Sequence, residues 1–96
     1  MRLDEALAEI LHEVKRITCD LPGVAWYGFG SYFKGRDSFG DIDILVICPR
    51  AADAIVVRSK TGDICARWPL HLVIMTEEEE KETSFVASEG CVILHR

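Results

Sequence analysis

Phe29-Gly30-Ser31-Tyr32-Phe33-Lys34-Gly35-Arg36-Asp37-Ser38-Phe39-Gly40-Asp41-Ile42-Asp43-Ile44-Leu45-Val46-Ile47-Cys48 is the stretch whose reading decides the fold. A Gly-Ser pair closes one apolar run, and Asp41-Ile42-Asp43 opens another. Val24 to Phe29 is rich in β-branched and aromatic residues and is predicted to be a strand. Asp41 to Cys48 is predicted to be a second strand. It is apolar on both faces after Asp43, as a central, buried strand is. The polar span from Ser31 to Gly40, with room for one helical turn at its start, is too short for a crossover helix of a dozen or so residues. The two strands are therefore expected to be antiparallel neighbours. That pairing brings Gly30, Ser31, Asp41 and Asp43 to one end of the sheet.

Outward from this pair, the remaining elements follow from periodicity and punctuation. Leu3, Leu7, Ile10, Leu11, Val14 and Ile17 recur at three and four, the stripe of an amphipathic helix with Glu5, Glu9, Glu13 and Arg16 on its wet side. Pro22-Gly23 cannot continue that helix, which should stop near Cys19. Pro49 ends the second strand and suits the residue just ahead of a helix. Ala54, Val57, Thr61, Ile64 and Trp68 fit a helix over 51–67, although Gly62 costs it ~1 kcal/mol relative to alanine; Ala54-Ile55-Val56-Val57 also suits an extended segment, and Thr61-Gly62-Asp63 a turn. Leu70 to Met75 reads as a third strand. Thr76 with Glu79 makes a capping box, which places Glu77 to Glu80 in the first turn of a short helix ended by Gly90. Cys91 to Leu94 reads as a fourth strand, at an edge. The expected class is α/β (α+β): one domain over 1–96, a small mixed β-sheet with helices packed on it, in the order α-β-β-α-β-α-β.

Composition narrows the function. The chain has 96 residues, 49% hydrophobic and 28% charged, enough for one modest core. No apolar run approaches the ~20 residues of a membrane span. The acidic start, Met1-Arg2-Leu3-Asp4-Glu5, lacks an apolar signal core, so a cytoplasmic location is expected. The net charge of −5 argues against a grip on long nucleic acid, which needs clustered Lys and Arg. Cys19, Cys48, Cys65 and Cys91 are scattered, without the close pairs of a zinc site, and read as buried, reduced thiols.

The chemistry lies in the Gly-Ser and Asp-x-Asp pair. On a strand, Asp41 and Asp43 share a face, with Cα atoms roughly 6.7 Å apart. Carboxylates leaning together to ~4 Å repel by ~4 kcal/mol at an effective dielectric of ~20. A divalent cation offsets that repulsion. Mg²⁺ suits such a pair, since it takes one or two carboxylates and completes its shell with water and substrate phosphates. Gly30 has no Cβ to keep a phosphate from the backbone N–H groups, and the Ser31 hydroxyl can donate to a phosphate oxygen. Lys34 and Arg36, in the same loop, can balance phosphate charge. Taken singly, Asp-x-Asp is also ordinary turn chemistry, and Gly-Ser is a common dipeptide.

Gly30-Ser31, nine intervening residues and Asp41-Ile42-Asp43-Ile44-Leu45-Val46 resemble the signature of the polymerase-β-like nucleotidyltransferase superfamily, most nearly its minimal nucleotidyltransferases. The resemblance implies transfer of a nucleoside monophosphate, such as AMP from ATP, to a hydroxyl. The serine loop would hold the triphosphate, and Asp41 and Asp43 would hold Mg²⁺. It also implies a small helical HEPN-type protein partner, in a toxin–antitoxin module where a partner tyrosine is adenylylated. A homodimer is the other expected association. One position departs from the pattern. Where the family carries a third metal-binding acid, Leu70-His71-Leu72-Val73-Ile74 places His71. His71 is read as a third member of the catalytic set, a general base or a ligand, or else as a polar residue where the strand begins. Asp63 is the nearest other acid. If His71 marks lost catalysis, the domain would be a nucleotide-binding or antitoxin-type interaction module.

Overall fold

The computed structural model describes residues 3–35 and 41–95, with nothing to say of the side chains of Leu3 and Asp4. The domain is a small mixed α/β unit. A four-stranded sheet carries β1 (Ala25–Phe29), β2 (Ile42–Cys48), β3 (Leu70–Thr76) and β4 (Val92–His95) in the order β3-β2-β1-β4. The expected antiparallel pairing of β1 and β2 is present, with Phe29 opposite Asp43 and Ala25 opposite Ile47. β3 runs parallel to β2, so the chain crosses over between them. β4 pairs antiparallel with β1 and forms the other edge.

The sheet separates two apolar clusters by strand alternation. Trp26, Ile42, Ile44, Val46 and Cys48 face one side. There they meet Ala6, Ile10, Val14 and Ile17 of α1 (Leu3–Thr18), Val57 of α3 (Ala51–Lys60) and Ile64 of α4 (Gly62–Arg67). The α1 stripe is centred on Ala6, which the sequence reading passed over, whereas Leu7 and Leu11 are only half-buried. Phe29, Leu45 and Ile47 face the other side, with Tyr27, Val73 and Met75 packed around them. This side is covered by Phe85 and Val86 of α6 (Phe85–Glu89). Phe85 stands edge-on to Phe29, with ring centroids 5.1 Å apart. β2 contributes to both clusters, and every residue in it except Asp43 is buried.

Several predicted boundaries are corrected. The helix expected over 51–67 is two helices, α3 and α4, broken at Thr61. The Thr61 hydroxyl is buried and donates to the Val57 carbonyl at 2.8 Å, competing with the backbone at the point where Gly62 follows. The single short helix expected before Gly90 is also two, α5 (Glu77–Thr83) and α6. Ser84 between them takes a left-handed conformation, φ 52°. That reversal turns Phe85 onto the sheet, and the Glu80 carboxylate accepts from the Val86 N–H at 3.4 Å. The Thr76 capping box is formed, with the Glu79 N–H donating to the Thr76 hydroxyl at 3.2 Å and the Thr76 N–H to the Glu79 carboxylate at 3.0 Å. β2 begins at Ile42, one residue later than expected. Among the described residues, no helix is long and apolar enough to cross a membrane. The four cysteines are free thiols, but burial is corrected: Cys48 on the central strand is buried and Cys91 half-buried, whereas Cys19 and Cys65, at helix ends or on wet faces, are exposed.

Candidate functional site

The end of β1 and the start of β2 lie side by side because the two strands are antiparallel. Phe29 is paired with Asp43, and Asp43 in turn with His71 on the parallel β3. The three residues form one row across the sheet, on the face that carries Leu45 and Ile47. Phe29 is buried in this row, the Asp43 side chain is 23% exposed, and that of His71 is 60% exposed. The site therefore opens towards the β3 edge.

Asp43 has a close neighbour at each carboxylate oxygen. Oδ1 lies 3.0 Å from Nδ1 of His71. A carboxylate only accepts, so the Nδ1–H donates in this pair. Oδ2 lies over Gly30. A Cβ on Gly30 would stand 2.1 Å from it, well inside contact distance, and Gly30 has φ 78°, a conformation that disfavours other residues. Gly30 thus seats Asp43. The close approach that the sequence reading kept for a phosphate is made, on the Cβ side, by the protein's own carboxylate. Gly28 has a parallel role, since a Cβ there would meet the Phe33 ring at 2.4 Å.

The loop after Gly30 begins as a single turn, α2 (Gly30–Phe33), with Ser31 half-buried as its second residue. Lys34 caps that turn, and its charge reaches the Cys91 thiol, where it lowers a pKa that burial, Glu89 and Glu80 raise. Arg36 lies outside the described residues. Asp41 is exposed and precedes β2 by one residue, so strand alternation does not fix it on the face of Asp43 as expected. Asp63 is exposed in the first turn of α4, a helix that packs through Ile64 on the opposite face of the sheet. It is not the third acid of the Asp43 row.

The structure thus brings together Gly30, Asp43 and His71, with Ser31 next to Gly30 in the chain. Among the described residues, no group of three or more His, Cys, Asp or Glu side chains stands where it could hold a metal ion; Asp43 and His71 are a pair. A carboxylate and an imidazole so placed can exchange a proton or share a cation. The seat of Asp43 on Gly30 and the packing of Phe33 on Gly28 were missed from sequence. The only signal for either was the Gly-x-Gly spacing itself. A cavity of about 300 Å³, lined by Val24, Ala25, Tyr27, Ile47 and Glu77 among others, lies at the opposite end of β1 and β2 and includes none of these groups. Comparison of the chain with protein-family models, with curated proteins and with solved structures finds no match.

Proposed function

We propose that this chain is a nucleotidyltransferase of the polymerase-β-like type, in its minimal form, that transfers a nucleoside monophosphate from a triphosphate such as ATP to a hydroxyl. One observation carries the reading: the Asp43 carboxylate sits over Gly30, the chain neighbour of Ser31, with His71 at its other oxygen. The element order, with the antiparallel β1–β2 pair and the parallel β3, supports the corresponding fold.

The donor types suit Mg²⁺. Asp43 offers a partly open carboxylate and Asp41 an exposed one two residues before it, and hard oxygen donors of this kind are what the ion takes. Asp41 and Asp43 would hold it. When bound, it neutralises phosphate charge and lowers the barrier to displacement at phosphorus. The chain's own groups divide the remaining work. The Ser31 hydroxyl donates to a phosphate oxygen. Lys34 and Arg36 add positive charge from the loop. The acceptor oxygen attacks the α-phosphorus, the bond to the bridging oxygen breaks, and pyrophosphate departs with the electron pair. The hydroxyl proton goes to a base, for which Asp43 and His71 are the groups at hand.

A specific observation favours a second reading. His71 stands at the position of the family's third acid and is hydrogen-bonded to Asp43. In that reading the domain binds nucleotide, or a small helical protein, without transfer. Incubation with α-labelled ATP, Mg²⁺ and the product of the neighbouring gene separates the two. Label on the acceptor that is lost in Asp43→Asn supports transfer. ATP binding without label supports the binding module.

A further inference from the structure

We propose that the cavity of about 300 Å³ at the end of the sheet away from Asp43 binds a small molecule that carries a protonated amine on an apolar body. That site shares no residue with the Asp43 row. Its place in the topology is the first support. β2 and β3 are parallel neighbours and end side by side at Cys48 and Thr76. After β2 the chain passes into α3, whose Val57 packs on the face of Ile44 and Val46. After β3 it passes into α5 and then α6, where Phe85 and Val86 pack on the face of Leu45 and Ile47. Segments that leave adjacent parallel strands towards opposite faces open a crevice beyond the carboxyl ends of those strands, where α/β sheets take their ligands. The cavity is at that point. Ile47 is next to last in β2, and Glu77 follows β3 directly. Gly23 lies against Pro49, where a Cβ would stand 2.8 Å from the proline Cγ, so the loop into β1 is held to the end of β2.

The walls define the ligand. Ala25, Tyr27 and Ile47 belong to one face of the sheet, and Gly23 and Val24 adjoin them. Among the described residues, Glu77 is the one charged residue lining the cavity, and no cation is paired with it. Arg50, next to Pro49 in the chain, is engaged with Asp53 at 3.3 Å. An ammonium group seated between the Tyr27 ring and the Glu77 carboxylate is attracted by both, while its hydrocarbon part fills the apolar side. An anionic ligand would meet Glu77 as a like charge, and the net charge of −5 steers cations in rather than anions. The volume stands at the lower end of ligand sites, so the apolar body is small.

The probe is phenethylamine, protonated at neutral pH, with phenethyl alcohol and hydrocinnamate as neutral and anionic counterparts of similar size. Each is titrated into the ¹⁵N-labelled full chain and followed by heteronuclear NMR. The expected result is saturable shifts centred on the amides of Ala25, Tyr27, Ile47 and Glu77, with the amine bound about tenfold more tightly than the alcohol. Glu77→Gln should reduce that preference about fivefold and leave binding of the alcohol unchanged. Glu77→Lys should make hydrocinnamate the preferred probe of the three. Both variants replace an exposed residue, and circular dichroism checks that each is folded. Absence of saturable amine binding by the folded chain, equal affinity for amine and alcohol, shifts centred on the Asp43 row instead, or a preference that Glu77→Gln leaves untouched would overturn the proposal.

Discussion

Nδ1 of His71 and Oδ1 of Asp43 stand 3.0 Å apart across two parallel strands, and Oδ2 of the same aspartate rests where a Gly30 side chain would be. A polar group on a central strand is thereby held from both sides, by a ring from β3 and by the absence of a side chain after β1. The arrangement needs three separate choices of residue, and each can be tested by itself.

Gly30→Ala and Gly35→Ala form a matched pair. Both glycines have positive φ, 78° and 72°, so both substitutions carry a backbone cost of ~1 kcal/mol or more. Of the two, only Gly30 has a new Cβ that meets a described residue, the Asp43 carboxylate at 2.1 Å; at Gly35 nothing among the described residues lies within 4 Å. Gly30→Ala should therefore destabilise more than Gly35→Ala in urea unfolding, and should weaken binding of ATP with a divalent ion. Equal unfolding midpoints for the two variants would refute the seating of Asp43 on Gly30.

The cysteines should react in an order set by burial. Cys48 lies in β2 at 0% exposure, and burial first, then the charge of Asp53, pushes its thiol up to about 11. Cys19 is exposed. Alkylation of the native protein at pH 8 should label Cys19 within minutes and leave Cys48 unmodified until denaturant is added, as read by mass spectrometry of the digested chain. Early labelling of Cys48 would contradict its place in the central strand.

The Thr76 capping box makes a pH-dependent contribution. The backbone N–H of Thr76 and its hydroxyl bond the Glu79 carboxylate and hold its pKa below the ordinary value. A depressed folded-state pKa means stabilisation that is present above about pH 4.3, the ordinary glutamate value, and is lost as pH falls through the lower one. Thr76→Ala should cost ~1 kcal/mol at neutral pH. The difference from the wild type should shrink as the pH falls below 4, which thermal unfolding at several pH values will show. A pH-independent difference would assign the loss to the bond that the Thr76 hydroxyl accepts from the Glu79 N–H.

Ser31 and His71 should behave differently in nucleotide binding. Ser31→Ala removes a donor to phosphate and should weaken ATP binding by about tenfold to a hundredfold, the worth of one hydrogen bond to a charged group. His71→Gln keeps a polar side chain but alters the pairing with Asp43, and should change the dependence on the metal more than the affinity for ATP alone. Calorimetry with Mg²⁺ and with Mn²⁺ separates the two effects.

Most of the sheet was legible because β1 and β2 announce themselves by apolar runs, and the short span between them leaves no room for a crossover. That reasoning gave the antiparallel pairing, the burial of β2 and the edge position of β4. The break at Thr61 was legible only as the alternative turn at Thr61-Gly62-Asp63, and the break at Ser84 was not legible. One depends on a buried hydroxyl choosing a carbonyl, the other on a left-handed serine, and neither has a periodic signal. At the site, His71 was found by position along its strand, and the parallel register then set it opposite Asp43. The role of Gly30 was half legible. Its lack of a Cβ was read correctly, but what fills the space is a side chain thirteen residues away, a tertiary contact that no local pattern encodes.

The central claim is that Asp43, seated on Gly30, is part of a site for a divalent ion and a nucleoside triphosphate. Equilibrium binding of ATP to the wild type and to Asp43→Asn, each with and without Mg²⁺ or Mn²⁺, tests it most directly. The account predicts saturable, metal-dependent binding in the wild type and its loss in a folded Asp43→Asn. Binding that is independent of metal and unchanged in Asp43→Asn, or no ATP binding by the folded wild type, would contradict it.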